Sequence, residues 1–264
     1  MEDLCFWSIG DGPYAAMLQA LVNSFHQVGM ENDFHVLSDR PIKGAKTHLI
    51  QTFDKTRFQY KMDFLMNQIR HLPYRYFVYM DADSYFTRKV FNLLDLVSDT
   101  PMHIFLETNL LSPQLKRNWW GPCSVAEYVR LMRDKGITHE KIYNVNGGFF
   151  ILEKEVIPTV YSLMHDFWDY GLQNKYAFSD EPPLAYAMHK LTKETEKHLL
   201  VNHLQTWAVD WRGVFSNLVP FSTWWNSIDF FTLESTPACP AIIHAIQSKK
   251  ALQSLGESLW KNKD

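Results

Sequence analysis

Tyr76-Phe77-Val78-Tyr79-Met80-Asp81-Ala82-Asp83 is an apolar run that stops abruptly on two carboxylates one residue apart. Five uncharged residues rich in aromatics, followed by Asp-x-Asp, read as a strand buried on both faces that ends in a solvent-facing acidic tip. This is the one Asp-x-Asp in the sequence. Ligands of open α/β sheets bind outside the carboxyl ends of the strands, so the tip stands where a site belongs. It suits a hard cation: Mg²⁺ or Mn²⁺ takes oxygen ligands, uses one or two protein carboxylates and completes its shell with water and substrate phosphates. The implied ligand is a metal diphosphate, with a solvated acidic turn as the alternative.

Working outward, residues 4–9 form an apolar strand candidate, and Gly10-Asp11-Gly12-Pro13 is a tight turn before a helix over 14–28. Short strands are expected over 34–37 and 47–50, and a helix over 58–69 feeds the strand ending at Asp81. Alternating strands and helices with short connections indicate an α/β fold, a mainly parallel central sheet with helices on both faces. Beyond Asp83 the alternation breaks. A strand over 102–106 precedes a long region, 109–143, that carries Trp119-Trp120 and an amphipathic piece over 125–132. Such a region after a strand with a site at its tip commonly forms a lid or recognition surface. Asn146-Gly147-Gly148 reads as a polar turn before an apolar strand through Leu152, where paired glycines allow positive φ or the close approach of a ligand. Helices are expected over 154–170 and from Ser179-Asp180-Glu181-Pro182, where Ser179 or Asp180 can cap. Further strands are expected over 199–204 and 241–246.

With 264 residues and no Pro/Gly/Ser linker, the chain reads as one domain, 1–264. Hydrophobic residues at 46% and charged residues at 21% exclude disordered and collagen-like classes. A formal net charge of −3 gives no strong nucleic-acid signal. No apolar run has the length of a transmembrane segment, and Met1-Glu2-Asp3 lacks the positive end of a secretory signal. Cys5, Cys123 and Cys239 are odd in number and lack metal-ligand spacing, as reduced thiols do. A soluble cytoplasmic protein is the expectation, with a chain trimmed of its anchor as the alternative.

Gly10-x-Gly12-x-x-Ala15 after a strand, with Asp39 closing the next, imitates a dinucleotide-binding fingerprint. Against it, Asp11 puts a carboxylate inside the turn, suited to a base or ribose rather than a bare phosphate, and an NAD-dependent dehydrogenase gives Asp81 and Asp83 no task.

Taken together, Ile9-Gly10-Asp11, the strand ending at Asp39, Asp81-Ala82-Asp83, Asn146-Gly147-Gly148-Phe149-Phe150, Asp180-Glu181 and Ile242-Ile243-His244 resemble the nucleotide-sugar-dependent glycosyltransferases of the A-type fold. The style is closest to the retaining glycogenin-like and blood-group-transferase-like families. The resemblance implies a single Rossmann-like nucleotide-diphospho-sugar transferase domain, with 1–108 as the nucleotide-binding half and 109–264 serving acceptor and donor sugar. It implies Asp83 as a metal ligand, Asp81 as a bridge to ribose and metal, and His244 as a late metal ligand, with a core histidine as the alternative. Ile9, Gly10, Asp11, Asp39 and Ala82 would line the nucleotide. Arg57 and Lys61, four apart on one helix face, would approach the donor, or form an ordinary solvated face. Asn146, Gly147 and Gly148 would lie under the donor sugar. Asp180 would bind that sugar and Glu181 would place a carboxylate near the reacting carbon, the alternative being capping of a helix start. Lys249 would reinforce the diphosphate charge, and Lys250 better fits a solvated tail.

The expected activity is transfer of a sugar from a nucleoside diphosphate sugar, by default a UDP-sugar, to an acceptor hydroxyl of unidentified class, with Mn²⁺ or Mg²⁺ as Lewis acid. The resemblance implies retention. A sugar-nucleotide pyrophosphorylase would carry a basic phosphate loop after the first strand, which Gly10-Asp11-Gly12-Pro13-Tyr14 is not. A noncatalytic carbohydrate-binding protein would use Trp119, Trp120, Trp224 and Trp225 and need no acidic tip.

Overall fold

The structure, a computed structural model, describes residues 3–51, 57–90, 93, 101–116, 118–191, 207–210, 230–231, 237–238 and 240–261. Strand β1 (Leu4–Gly10) leads through Asp11-Gly12 into helix α1 (Pro13–Gln27), whose first position holds a proline that has no N–H to leave unpaired. β2 (Phe34–Ser38) and β3 (Lys46–Leu49) follow, then α2 (Arg57–Phe64), which widens into a π-turn over Leu65–Ile69. Next come β4 (Tyr76–Met80), β5 (Ser84–Phe86), β6 (Met102–Asn109), the short pair β7 (Trp119–Trp120) and β8 (Cys123–Ser124), and α3 (Val125–Asp134). β9 (Tyr143–Glu153) runs through a 3₁₀ turn into α4 (Ile157–Gln173), followed by α5 (Glu181–Leu191). β10 (Trp207–Val209), β11 (Phe230–Phe231), β12 (Pro237–Ala238), β13 (Ile242–His244) and α6 (Lys249–Lys261) complete the order.

The protein is α/β, built on a six-stranded sheet of order β3-β2-β1-β4-β9-β6. Pairs β3–β2, β2–β1 and β1–β4 are parallel, as the alternation of the first part predicts. β9 is antiparallel to both β4 and β6, so the sheet is mixed. Because β9 lies between β4 and β6, residues before and after 108 share one sheet.

Alternation along the strands builds two cores. Cys5, Trp7, Phe77 and Tyr79 face the side covered by α2, α3, α4 and α5, while Phe6, Val78 and Met80 face the side covered by α1 and α6. Helices therefore lie on both faces, and β4 is buried on both, as its unbroken apolar run requires.

Three local expectations are revised. Asn146-Gly147-Gly148 is not a turn before a strand. It lies inside β9, where the pairing with β6 jumps from Ile104↔Phe150 to Phe105↔Asn146, a bulge that leaves β4 still bonded through Asp81 N–H to Gly148 C=O at 2.9 Å. The helix expected over 58–69 loses its α-register at Leu65. The helix expected from 154 begins with a turn of 3₁₀ and becomes α-helical only at Ile157, where Pro158 sits in the first turn. The strand expected over 199–204, together with Trp224, Trp225 and Cys239, lies outside the described residues. Among the described residues, no helix is long and apolar enough to cross a membrane.

Candidate functional site

β4 delivers Asp81 to the carboxyl edge of the sheet, and the turn Asp81–Asp83 is closed by Ser84 N–H donating to Asp81 C=O at 3.0 Å. The chain then re-enters as β5, which pairs antiparallel with β13 in a register that sets His244 opposite Ser84. Ala245 N–H donates to Asp83 C=O at 2.8 Å, clamping that register. In consequence Asp81, Asp83 and His244 each offer a ligand atom within 4.8 Å of the others. His244 Nε2 lies 3.1 Å from Asp83 Oδ1 and 3.5 Å from Asp81 Oδ2, and Lys249, the first residue of α6, brings Nζ to 2.8 Å from Asp83 Oδ2.

The tip is less open than its sequence suggests. Asp81 is half-buried, but Asp83 is 2% exposed because β13 and the start of α6 cover it. Burial works against ionisation of Asp83, yet the neighbouring His244 and Lys249 cations hold its carboxyl well below the usual range. His244 obeys the converse balance: burial opposes its charge, and Asp83 and Asp81 raise its pKa above the ordinary value.

Lys61 is the second organiser. It is 5% exposed, so neither a solvated face nor a side chain reaching freely toward a ligand describes it. Its Nζ pairs with Asp180, donates to Gly147 C=O at 3.3 Å, lies 3.5 Å from Asp81 Oδ1 and stands 4.0 Å from the centre of the Tyr79 ring. Burial disfavours its charge, but Asp180 and Asp81 outweigh that and raise its pKa. Tyr79 O–H donates to Asp81 Oδ1 at 2.6 Å, a partner invisible in a run read as core. The side chain of Arg57, four residues earlier, lies outside the described residues.

The glycines of β9 act through missing volume. A Cβ on Gly147 would lie 2.8 Å from Asp180 Oδ2, and one on Gly148 would lie 2.6 Å from His244 Cε1. Neither has positive φ, so close approach is the reason for glycine here. Asn146 is buried, and its Oδ1 accepts from Gly148 N–H at 2.9 Å, which holds the bulge.

Asp180 stands just before α5 and accepts Leu184 N–H on its carbonyl, but its carboxylate turns to Lys61 instead of capping. Glu181, partly accessible, accepts from Gly147 N–H and lies 3.5 Å from Asn144 Nδ2.

A cleft of about 340 Å³ is lined by Ile9, Gly10, Asp11, Lys61, Asp81 to Asp83, Asp180 and Lys249, together with Tyr14, Tyr79, Phe178 and Ser179, which sequence reasoning did not assign to a ligand; Asn146, Gly147, Gly148, Glu181 and His244 stand behind its walls and are not among the lining residues. Asp39 is not among the lining residues. Its Oδ2 accepts from Gly12 N–H at 3.2 Å and its carboxylate grips Arg40, so it braces the Gly10–Gly12 turn from behind. Lys250 is exposed, as a solvated lysine should be. The tryptophan pair divides: Trp119 is 62% exposed and Trp120 is core.

No protein-family model matches the chain, and a search of curated proteins finds no match. Its chemistry is read from its own fold and side chains.

Proposed function

We propose that the protein is a metal-dependent glycosyltransferase with a Rossmann-like A-type domain, moving a sugar from a nucleoside diphosphate sugar, by default a UDP-sugar, to an acceptor hydroxyl. Retention is the outcome its resemblance implies. The observation that carries the reading is the convergence of Asp81, Asp83 and His244 beside a cleft whose walls hold the two carboxylates together with Lys61, Asp180 and Lys249.

The donor set fits the cation. Two carboxylates and one imidazole nitrogen within 4.8 Å of one another suit Mn²⁺, and suit Mg²⁺ less because its ligands are oxygens. Charge balance supports the diphosphate. Lys61 and Lys249 offset two of the three carboxylates Asp81, Asp83 and Asp180, and His244 is neutral when it ligates a metal, so a divalent cation leaves net positive charge that an anionic ligand balances. A bound metal supplies Lewis acidity to the leaving diphosphate. Lys249, 41% exposed at its side chain, faces the same negative charge, while Ile9, Gly10 and Asp11 wall the space for base and ribose. Lys61 fixes the Asp180 carboxylate for the hydroxyls of the donor sugar, and Glu181, the next residue, is the carboxyl that the resemblance assigns to the reacting carbon. The dinucleotide alternative loses its ribose ligand, since Asp39 is engaged by Gly12 and Arg40.

The test is calorimetric titration with UDP in Mn²⁺ and in EDTA, followed by a mass-spectrometric screen for release of UDP from a panel of UDP-sugars. Binding at least tenfold tighter with Mn²⁺, and hydrolysis of one sugar nucleotide above the rest, are expected. Equal UDP affinity in Mn²⁺ and EDTA overturns the reading.

A further inference from the structure

Behind Asp180, on the other side of Gly147, lies a second pair of carboxylates. Gly147 faces Asp180 with its Cα and Glu181 with its N–H. Glu181 looks across Asn144 to Glu107 of β6: Asn144 Nδ2 is 3.1 Å from Glu107 Oε2 and 3.5 Å from Glu181 Oε2. Tyr128 O–H donates to Asn144 Oδ1 at 3.0 Å, which fixes the amide with its nitrogen toward the carboxylates. The same nitrogen also donates to Val145 C=O at 2.8 Å. An amide nitrogen has two hydrogens, and three oxygens compete for them; Glu181, the most distant, is the one left short.

We propose that Glu107 is a positioning residue that keeps Glu181 protonated at neutral pH, so that Glu181 meets a neutral, hydroxylated ligand as a hydrogen-bond donor rather than as an anion. This deepens the glycosyltransferase reading, on which the identity of the ligand as a sugar rests. Such an acid offers its O–H to a hydroxyl or ether oxygen, and the carboxylate of the neighbouring Asp180, which lines the cleft, accepts a hydroxyl hydrogen. A protonated Glu181 does not attack an anomeric carbon, so a covalent route through it draws only on the ionised minority at neutral pH.

The surroundings of Glu181 agree. Among the described residues, Glu107 faces it from β6, Asp180 precedes it at the start of its own helix, and Tyr128 reaches toward it from α3; β9 contributes Asn144 and the Gly147 N–H, and Lys61 of α2 is engaged by Asp180. Burial first, then the charges of Glu107 and Asp180, push the Glu181 carboxyl up to about 8.

The experiment is a carbon NMR titration of metal-free, ligand-free protein labelled at glutamate side-chain carboxyls, with Glu181→Gln assigning the resonance. A wild-type midpoint between pH 7 and 9 is expected from the value of about 8. Glu107→Gln should lower that midpoint by at least one pH unit, and Glu107→Asp should keep most of the shift. A wild-type Glu181 midpoint below pH 6, or no movement in folded Glu107→Gln, overturns the proposal; the wild-type midpoint alone decides it should Glu107→Gln not fold. No nucleotide is present, so failure of the glycosyltransferase reading appears separately, as UDP binding indifferent to Mn²⁺.

Discussion

Gly148 and His244 are in contact although one lies in β9 and the other ends β13: a methyl group on Gly148 would intrude to 2.6 Å from the imidazole Cε1 and 2.7 Å from Nδ1. The ring has little room to retreat. Trp207 packs on it at 5.5 Å between centres, and the β5–β13 register fixes its backbone. Gly147 touches a different partner, the Asp180 carboxylate, which rotates more freely than a ring wedged between strands.

Gly148→Ala is therefore expected to displace His244 and weaken Mn²⁺ binding by roughly 10- to 100-fold, the range seen when the support of a metal ligand is disturbed. Gly147→Ala should leave Mn²⁺ affinity nearly unchanged and lower turnover by moving Asp180. Electron paramagnetic resonance of free Mn²⁺ separates the two; equal affinities for both variants would refute the assignment of His244 as a ligand.

Asp83→Ala removes the carboxylate that partners His244 and Lys249. Because Asp83 is buried, the change affects the fold as well as the site, and a loss of about 3 kcal/mol follows from leaving a buried cation unpaired. Mn²⁺-dependent UDP binding should vanish. Asp83→Asn, which retains one oxygen ligand but no charge, should fall between wild type and Asp83→Ala in calorimetry. Undiminished metal-dependent binding in either folded variant removes the central claim.

Lys61→Met keeps the stem packed against Tyr79 and deletes the charge shared by Asp81 and Asp180. Unfolding in urea should show a loss of about 3 kcal/mol. Combining Lys61→Met with Asp180→Asn should recover part of that loss, because the second change removes one of the stranded carboxylates. Strict additivity of the two single effects would mean that the pair is not coupled.

Glu181→Gln tests linkage. The folded-state pKa of about 8 lies above the ordinary 4.5, so the folded protein binds the proton more tightly than the unfolded chain. The associated stability is full below pH 4.5 and is lost as pH rises toward about 8. Glutamine mimics the protonated acid, so Glu181→Gln should melt close to wild type at pH 5 and several degrees higher at pH 8.5. Turnover should still fall at least tenfold if Glu181 touches the donor sugar. Higher stability at alkaline pH with unchanged turnover would confine Glu181 to a structural role.

Several site residues were legible because their signal is local. The strand at Tyr76–Met80 and its terminal Asp81 follow from an apolar run ended by charge, and the glycines of β9 stand out because nothing smaller exists. Lys61 was legible only as a basic residue at helical spacing. Whether it points to water or inward depends on β4 and α5, which bring two carboxylates and a tyrosine ring to it. Asp39 shows a second limit of local reading: its place after β2 suggests ribose, and only the fold shows that its carboxylate also braces the turn into α1. Glu107 gave no signal, since a lone acid within β6 acquires meaning only when β9 lays Asn144 between it and Glu181.

By itself the sequence determined the alternation of strands and helices, the acidic end of β4 and the need for space at Gly147-Gly148, because hydrophobic periodicity and side-chain volume act between neighbours in the chain. Tertiary structure alone decided that β9 runs antiparallel between β4 and β6, that His244 rather than another histidine reaches Asp83, and that Glu107 faces Glu181. Those outcomes depend on strand register across long separations, where a slip of one residue would turn each side chain to the opposite face of its sheet.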